Sequence, residues 1–512
     1  MLSKNKLLRL HLEEKRRVVR ALLRSTFAEP RSAPLSYAQE QLWFMDKLQP
    51  GSPVYNIPLY IPFSGPFDLA SLRRALEILT ARHDMLRARF AVEDGQPVQI
   101  VEPEVAVELA VEDLSGVAAG DQHAALGRLL NAEVQTAFDL ERGVCVRYKL
   151  YRLEPASHLL SVTMHHVITD AWSLGIFVSE LKAAYMACRG ESQAAPLPPI
   201  LVEYTDYARW QRATLRGLRL RKLVSYWTNQ LAGAPHVLHL PTDHARRQDQ
   251  TFNGTVTGFV FDDQLSAELI ALSRRYKVTP FMLLLACYYA LLYRYSGQED
   301  IVVGAPVANR GRPELEPIIG IFVNTLIMRV RLHDALTFAE LVAEVQKVSL
   351  GAFQHQALPF PKLVDELNVE RVPGYPPLYQ VVFNFQNASL IESANPSAEG
   401  ETMADGRFPF VHSNTAKVDL NLTVTQNGSR ISGGIEYNTD LFEPETIGTM
   451  ISHYRMIAEA VTRDPAIAVM DIVLDHGSGD AAEAGGPVAS SIADPAQGMD
   501  LGRFSFELGS PP

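Results

Sequence analysis

The stretch Met164-His165-His166-Val167-Ile168-Thr169-Asp170-Ala171-Trp172-Ser173 sets two imidazoles side by side and a carboxylate three residues further on. Upstream, Ser157-His158-Leu159-Leu160-Ser161-Val162-Thr163-Met164 reads as a strand, with Leu160, Val162 and Met164 alternating against Leu159, Ser161 and Thr163. His166 continues the first of those faces. Downstream, Ser173 is placed to cap a helix on which Leu174, Phe177, Val178, Leu181 and Tyr185 recur at helical spacing. The pair therefore stands where a strand ends and a helix begins, with Asp170 near enough to organise the turn. Neighbouring strand residues point to opposite faces, so His165 and His166 do not converge easily on one ion, which weighs against zinc. An imidazole titrates near about 6.5, so His166 is suited to take a proton from an amine or hydroxyl attacking an acyl carbon. Alone, such a pair reads first as two buried structural histidines. The rest of the chain changes that reading.

At 512 residues the chain has room for several domains and large cores. A hydrophobic share of 47% with 21% charged residues is globular, and a net charge of −11 offers nothing to nucleic acid. Cys145, Cys188 and Cys287 are far apart and lack ligand spacing, so neither a disulfide framework nor a metal site is indicated and a reducing cytoplasm fits. No apolar run approaches the roughly 18 residues that span a bilayer, and the charged N-terminus lacks the apolar stretch of a signal peptide. No membrane association is expected.

Along the chain, residues 1–30 read as a basic, leucine-containing helix from Ser3 to Arg24 that could serve docking. Residues 31–207 form a first α/β lobe, with a helix over Leu69 to Arg82 and strands over Val98 to Val101 and Val146 to Leu153. Tyr204 to Leu231 has helical periodicity, and residues 208–249 make the inter-lobe connection. Residues 250–475 form the second lobe. Its strands are expected at Thr255 to Phe261, Asp300 to Pro306, Leu378 to Asn384, Asp419 to Gln426 and Ile431 to Tyr437, with helices at Phe281 to Tyr295 and from near Glu443. Residues 476–512 form a flexible linker that ends in an alternating Phe504, Phe506, Leu508 cluster, the pattern of a strand added to a partner's sheet edge. No internal repeat is visible.

Several further stretches, in order, extend the signal. They are Leu35-Ser36-Tyr37-Ala38-Gln39-Glu40-Gln41-Leu42-Trp43, Tyr55-Asn56-Ile57-Pro58, Arg82-His83-Asp84-Met85-Leu86-Arg87-Ala88-Arg89-Phe90 and Tyr204-Thr205-Asp206-Tyr207-Ala208-Arg209-Trp210. Ile319-Gly320-Ile321-Phe322-Val323-Asn324-Thr325-Leu326, His355-Gln356-Ala357-Leu358-Pro359-Phe360 and Pro377-Leu378-Tyr379-Gln380-Val381-Val382-Phe383-Asn384 follow. Together with the His-His-x-x-x-Asp segment, they make the chain resemble the condensation domain of nonribosomal peptide synthetases, over nearly its whole length. Three positions depart from the family's pattern: Gln41 for a frequent arginine, Asp84 for a glutamate, and Ala171 for the glycine after the aspartate. The last puts a methyl group beside the backbone near the reacting centre, which activity tolerates only if the local dihedral angles suit alanine.

The resemblance implies an α/β fold of two chloramphenicol acetyltransferase-like lobes, arranged as a V-shaped pseudo-dimer around a central tunnel. Peptidyl or acyl carrier proteins would approach from opposite ends with substrates on phosphopantetheine arms, and no cofactor would be bound intrinsically. His166 would be catalytic. Asp170 would be structural and pair with an arginine of the second lobe, for which Arg310 is the candidate, since a buried carboxylate needs such a partner. His165, Ala171 and Trp172 would support the site, and Ser36, Asn324 and Thr325 are candidates for the tunnel wall. No Gly-x-Ser-x-Gly elbow or cysteine accompanies the histidines, so direct attack on the thioester is expected without an acyl-enzyme. Alignment of the two substrates would supply up to roughly 7 to 11 kcal/mol. Because no adenylation or carrier segment is recognisable, a free-standing enzyme supplied in trans is expected. An amide or an ester could form, with a lean toward joining L-configured or achiral partners. Two alternatives stay open: transfer to a soluble alcohol or amine, and a non-catalytic scaffold that binds carriers or tailoring enzymes.

Overall fold

The computed structural model describes residues 29–190, 197–367, 369, 372–387, 414–474 and 506–507. The expected N-terminal helix at Ser3 to Arg24 and the expected linker lie outside them. In chain order, β1 (Arg31–Pro34), α1 (Tyr37–Leu48), β2 (Asn56–Ser64), α2 (Leu69–Arg82), β3 (Ala88–Glu93), β4 (Gln96–Val101), β5 (Leu109–Asp113), α3 (Ala119–Gln135), β6 (Val146–Glu154), β7 (Ser157–His165) and α4 (Ala171–Cys188) build the first lobe. The helices α5 (Tyr204–Thr214) and α6 (Gly217–Leu231) lead to the second. There follow β8 (Gly254–Val260), α7 (Asp263–Arg275), α8 (Pro280–Ser296), β9 (Asp300–Val307), β10 (Asn324–Arg331), α9 (Phe338–Gln354), α10 (Phe360–Leu367), β11 (Val381–Asn387), β12 (Leu420–Asn427), β13 (Arg430–Asn438) and α11 (Pro444–Arg463).

Each lobe is a sheet with helices packed on it. The first sheet has the order β14-β2-β7-β6-β5, where β14 is the two-residue strand Phe506–Glu507, and the second has the order β10-β9-β11-β12-β13-β8. A smaller sheet, β1-β4-β3, stands beside the first. β2 contains Pro58 and Pro62, which have no N–H to donate, and it lies next to the edge with β7 as its one full-length neighbour. Helix α2 starts where the Asp68 carboxylate accepts from Ala70 N and Ser71 N, and then buries Leu72, Ala75, Leu76 and Leu79 on one face. Helix α8 opens on Pro280 under the Thr279 cap and is buried all round from Met282 to Tyr293, as an apolar helix at the centre of a lobe must be.

Four features differ from the sequence expectation, each for a local reason. Asp170, rather than Ser173, caps α4: its carboxylate accepts from Ser173 N at 2.9 Å, and Ala171 is the first helical residue. The expected helix from Tyr204 to Leu231 is two helices, because Leu215 (ψ 64°) and Arg216 (φ −142°, ψ 165°) leave helical geometry. The strand expected from Leu378 starts at Val381, since Leu378 follows two prolines and has a φ of 71°, which no strand accommodates. Phe506 and Glu507 pair in parallel with Phe63 and Ser64 of the chain's own β2, where a partner's sheet had been expected. The rest of that cluster lies outside the described residues.

The lobes do not divide cleanly along the chain. Leu315, Ile318, Ile319, Ile321 and Phe322, between β9 and β10, are buried with Leu174, Phe177, Tyr204 and Tyr207 in the core of the first lobe. Trp227 and Leu231 of α6 are buried in the core of the second. Among the described residues no single helix is long and apolar enough to cross a membrane.

Candidate active site

β7 ends at His165, and a short 3-10 turn over His166–Ile168 carries the chain to the α4 cap. His165 is 3% exposed, and its Nδ1 accepts from Val167 N at 3.1 Å, so this ring caps the turn and carries its proton on Nε2. Burial, then the neighbouring His166 and Lys417, pull its pKa down to about 3. His166 is half-buried, and its backbone N–H donates to Tyr55 O at 2.8 Å. Its Nδ1 stands 2.6 Å from Thr169 O. A carbonyl only accepts, so Nδ1 holds the ring's proton and Nε2 is left with a lone pair. Burial first, and Lys417 second, lower the pKa of this ring to about 4, against the opposing pull of the Thr169 carbonyl and Asp170. At neutral pH His166 is therefore an uncharged hydrogen-bond acceptor.

Asp170 does not reach the ring. Its Oδ1 accepts from Ser173 N at 2.9 Å and from Arg310 Nη2 at 3.1 Å, and its Oδ2 accepts from Phe322 N at 2.9 Å. Arg310, 2% exposed at its side chain, also donates to Ser173 Oγ at 2.7 Å, Leu315 O at 2.6 Å and Ile318 O at 2.7 Å. The guanidinium rests 4.1 Å from the Phe322 ring centroid, and Trp172 Nε1 donates to Glu316 O at 3.0 Å. This buried ion pair thus clamps the 313–323 segment against the turn that holds His166. Gly320 has to be a glycine here, since a Cβ would lie 2.0 Å from Tyr204 Cδ2. Ala171 is exposed at the first position of α4 and is not among the residues of positive φ, so its methyl group meets no backbone strain.

The three candidates for a substrate wall fare differently. Ser36 Oγ accepts from Gln39 N and stands 2.8 Å from Tyr204 OH, which donates to Ile321 O at 2.6 Å. Asn324 donates to Gln356 O at 2.9 Å and Leu358 O at 2.8 Å and accepts from Phe360 N at 2.9 Å. Both side chains hold loops. Thr325 hydrogen-bonds Tyr379, and burial, with Tyr379 as a second cause, raises the pKa of the Tyr55 phenol to about 12. Tyr55, Tyr379 and Lys417 were not singled out from the sequence as site residues. The first two do fall inside stretches that carry the family resemblance, whereas Lys417 has no spacing signal at all. Cys145 and Cys287 are buried in the lobe cores, where burial pushes their thiols far up, out of reach of nucleophilic work.

The family model described as Condensation domain matches residues 30–477. A linear gramicidin synthase polypeptide of Brevibacillus parabrevis is 42% identical over 432 residues, 84% of this chain and 8% of that protein. The fold matches holo-AB3403, a four-domain nonribosomal peptide synthetase bound to AMP and glycine, with a TM-score of 0.78 at 22% identity over 88% of this chain and 34% of that one. The X-domain in its complex with OxyB, from teicoplanin biosynthesis, matches with a TM-score of 0.74 at 26% identity over 88% of this chain and 97% of that one. The chain spans less than a tenth of the linear gramicidin synthase polypeptides it matches, at 8%, 9% and 6% of their lengths. With a two-lobed fold and a family model covering almost its whole described length, the chain belongs to the condensation domains of nonribosomal peptide synthetases.

Proposed function

We infer that the chain transfers an acyl group from a carrier-bound phosphopantetheine thioester to an amine, with His166 as the group that meets the nucleophile. One observation carries this reading: Nδ1–H is tied to the Thr169 carbonyl, which aims the bare Nε2 of a neutral ring away from its own turn. Donor and acceptor would meet in a tunnel between the lobes, each arm entering from one side. Alignment supplies most of the acceleration, and His166 contributes about a hundredfold to ten-thousandfold.

The low basicity of the ring bears on the acceptor. A base with a pKa of about 4 is poor at stripping a proton from a neutral hydroxyl. It serves well as an acceptor for the N–H of an attacking amine, and it takes the proton once the nitrogen has become an acidic ammonium in the tetrahedral adduct. Collapse of that adduct breaks the C–S bond, and the thiolate leaves with the proton. The product proposed is the amide, because an amine can attack before losing its proton whereas a hydroxyl needs a base more urgently. Free thiols at Cys145, Cys188 and Cys287 suit the reducing compartment in which this chemistry would run.

The test is intact-protein mass spectrometry of a loaded donor carrier mixed with this chain and with amines or alcohols, each offered free and on a second carrier. Product from the carrier-bound amine supports the reading; product from free acceptors alone assigns the chain to soluble acceptors instead. Recruitment without catalysis is favoured by one observation, the likeness to the X-domain held in a complex with OxyB. Binding of loaded carriers without any product would select it.

A further inference from the structure

The second lobe sends one more charged side chain to the histidines. Lys417 precedes β12 on a tightly fixed backbone: Ala416 N donates to Phe252 O at 2.8 Å, Asp419 N to Gln380 O at 2.9 Å, and Gln250 Nε2 to Lys417 O at 3.2 Å. Thr415 forms an isolated antiparallel bridge with Asn253. Gly254 permits this close approach, since a Cβ there would stand 2.5 Å from Ala416 N. From that mount the ammonium crosses to the first lobe, where Nζ is 5.3 Å from the Tyr55 ring centroid. Tyr55 touches both histidines: its ring centroid is 6.1 Å from that of His165, and its carbonyl accepts the His166 backbone N–H at 2.8 Å.

We propose that Lys417 is a positioning residue for the acyl transfer, supplied by the second lobe to hold His166 open as a hydrogen-bond acceptor. The proposal rests on the role given to His166 above. Among the described residues, the charged or titratable neighbours of that ring include His165 from β7, Asp170 from the α4 cap, Tyr55 from the chain leading into β2, and Lys417. Asp170 favours the imidazolium, yet its carboxylate is already engaged by Arg310, Ser173 and Phe322. Lys417 is the charged neighbour that opposes protonation, second only to burial itself. Burial lowers the pKa of Lys417, and Glu436 of β13 pulls the other way, in favour of the ammonium. A protonated His166 would carry N–H on both nitrogens and could accept nothing from the incoming amine. With both lobes in contact the ring stays in the accepting form; with Lys417 removed it charges more easily. Lys417 thus widens toward acid the pH range over which the ring stays in the accepting form, while burial supplies the larger share.

The experiment is an NMR pH titration of the full chain labelled with [13C-ε1]histidine, the His166 signal being assigned by its absence in His166→Ala. It is paired with the pH profile of transfer from aminoacyl-pantetheine thioesters to a small primary amine. In Lys417→Met the His166 midpoint and the acidic limb of the rate both move up by about one pH unit, and Lys417→Arg returns them toward the wild-type position. The signals of the other histidines report folding, and Lys417→Gln replaces the Met variant if that one is unfolded. An unmoved His166 midpoint in a folded, uncharged variant overturns the proposal for Lys417. Full turnover by His166→Ala would instead overturn the role of His166, whatever the titration gives.

Discussion

His166 is held in one tautomer by a single carbonyl, and Asp170 is held in one rotamer by four donors, so the two residues divide the work of the motif. In the proposed reaction the imidazole meets the nucleophile, and the carboxylate fastens the turn beneath it. Truncating Asp170→Ala leaves the Arg310 guanidinium buried without its carboxylate, which costs about 3 to 5 kcal/mol in urea unfolding. Ala171→Gly is a much smaller change. Ala171 is exposed and helical, so the variant loses under about 1 kcal/mol of stability and keeps its turnover within a few-fold in the carrier assay. At this scale much of the site was legible, since His165, His166 and Asp170 stand in one short run and Arg310 could be named from the resemblance. Lys417 could not be found that way, and Tyr379 stood unmarked inside one of the resembling stretches. A single lysine or tyrosine acquires meaning only from the partner that folding brings to it, and here the partner is Tyr55, hundreds of residues upstream.

Helices and strands were legible wherever apolar spacing was strong, as in α2 and in the all-apolar α8. Their ends were not. The α4 cap could be assigned to Ser173 or Asp170 by residue type, and only the hydrogen bond to Ser173 N decides for Asp170. The start of β11 depended on a left-handed Leu378, a conformation that side-chain pattern does not announce. Harder still was the 313–323 segment, whose apolar residues announce a core without saying which one. Gly320 marks its closest approach to α5. Gly320→Ala drives a methyl group into the Tyr204 ring and should destabilise the chain by about 1 to 3 kcal/mol, read as a lower urea midpoint. Tyr204→Leu in the same background, by removing part of the obstacle, should recover some of that loss; an additive second loss would contradict the packing described here.

Across the whole molecule, the two lobes share one site because each lends the other a part. The first contributes the histidine turn and Tyr55; the second contributes Arg310, the 313–323 segment, Tyr379 and Lys417. The two sheets and their order were beyond the sequence, because strand pairing is set by contacts distant along the chain, as in the parallel pairing of β11 with β12. Arg310→Met keeps the volume while removing the bonds that join the 313–323 segment to the α4 cap. Calorimetry of that variant should resolve two unfolding transitions in place of one, since the lobes keep separate cores. A single transition at the wild-type temperature would mean that the clamp does not couple them. The most direct measurement of the central claim is single-turnover product formation from a loaded donor carrier by wild type and by folded His166→Ala. The expected loss in His166→Ala is about a hundredfold to ten-thousandfold with an unchanged thermal midpoint, and an undiminished rate would overturn the role given to His166.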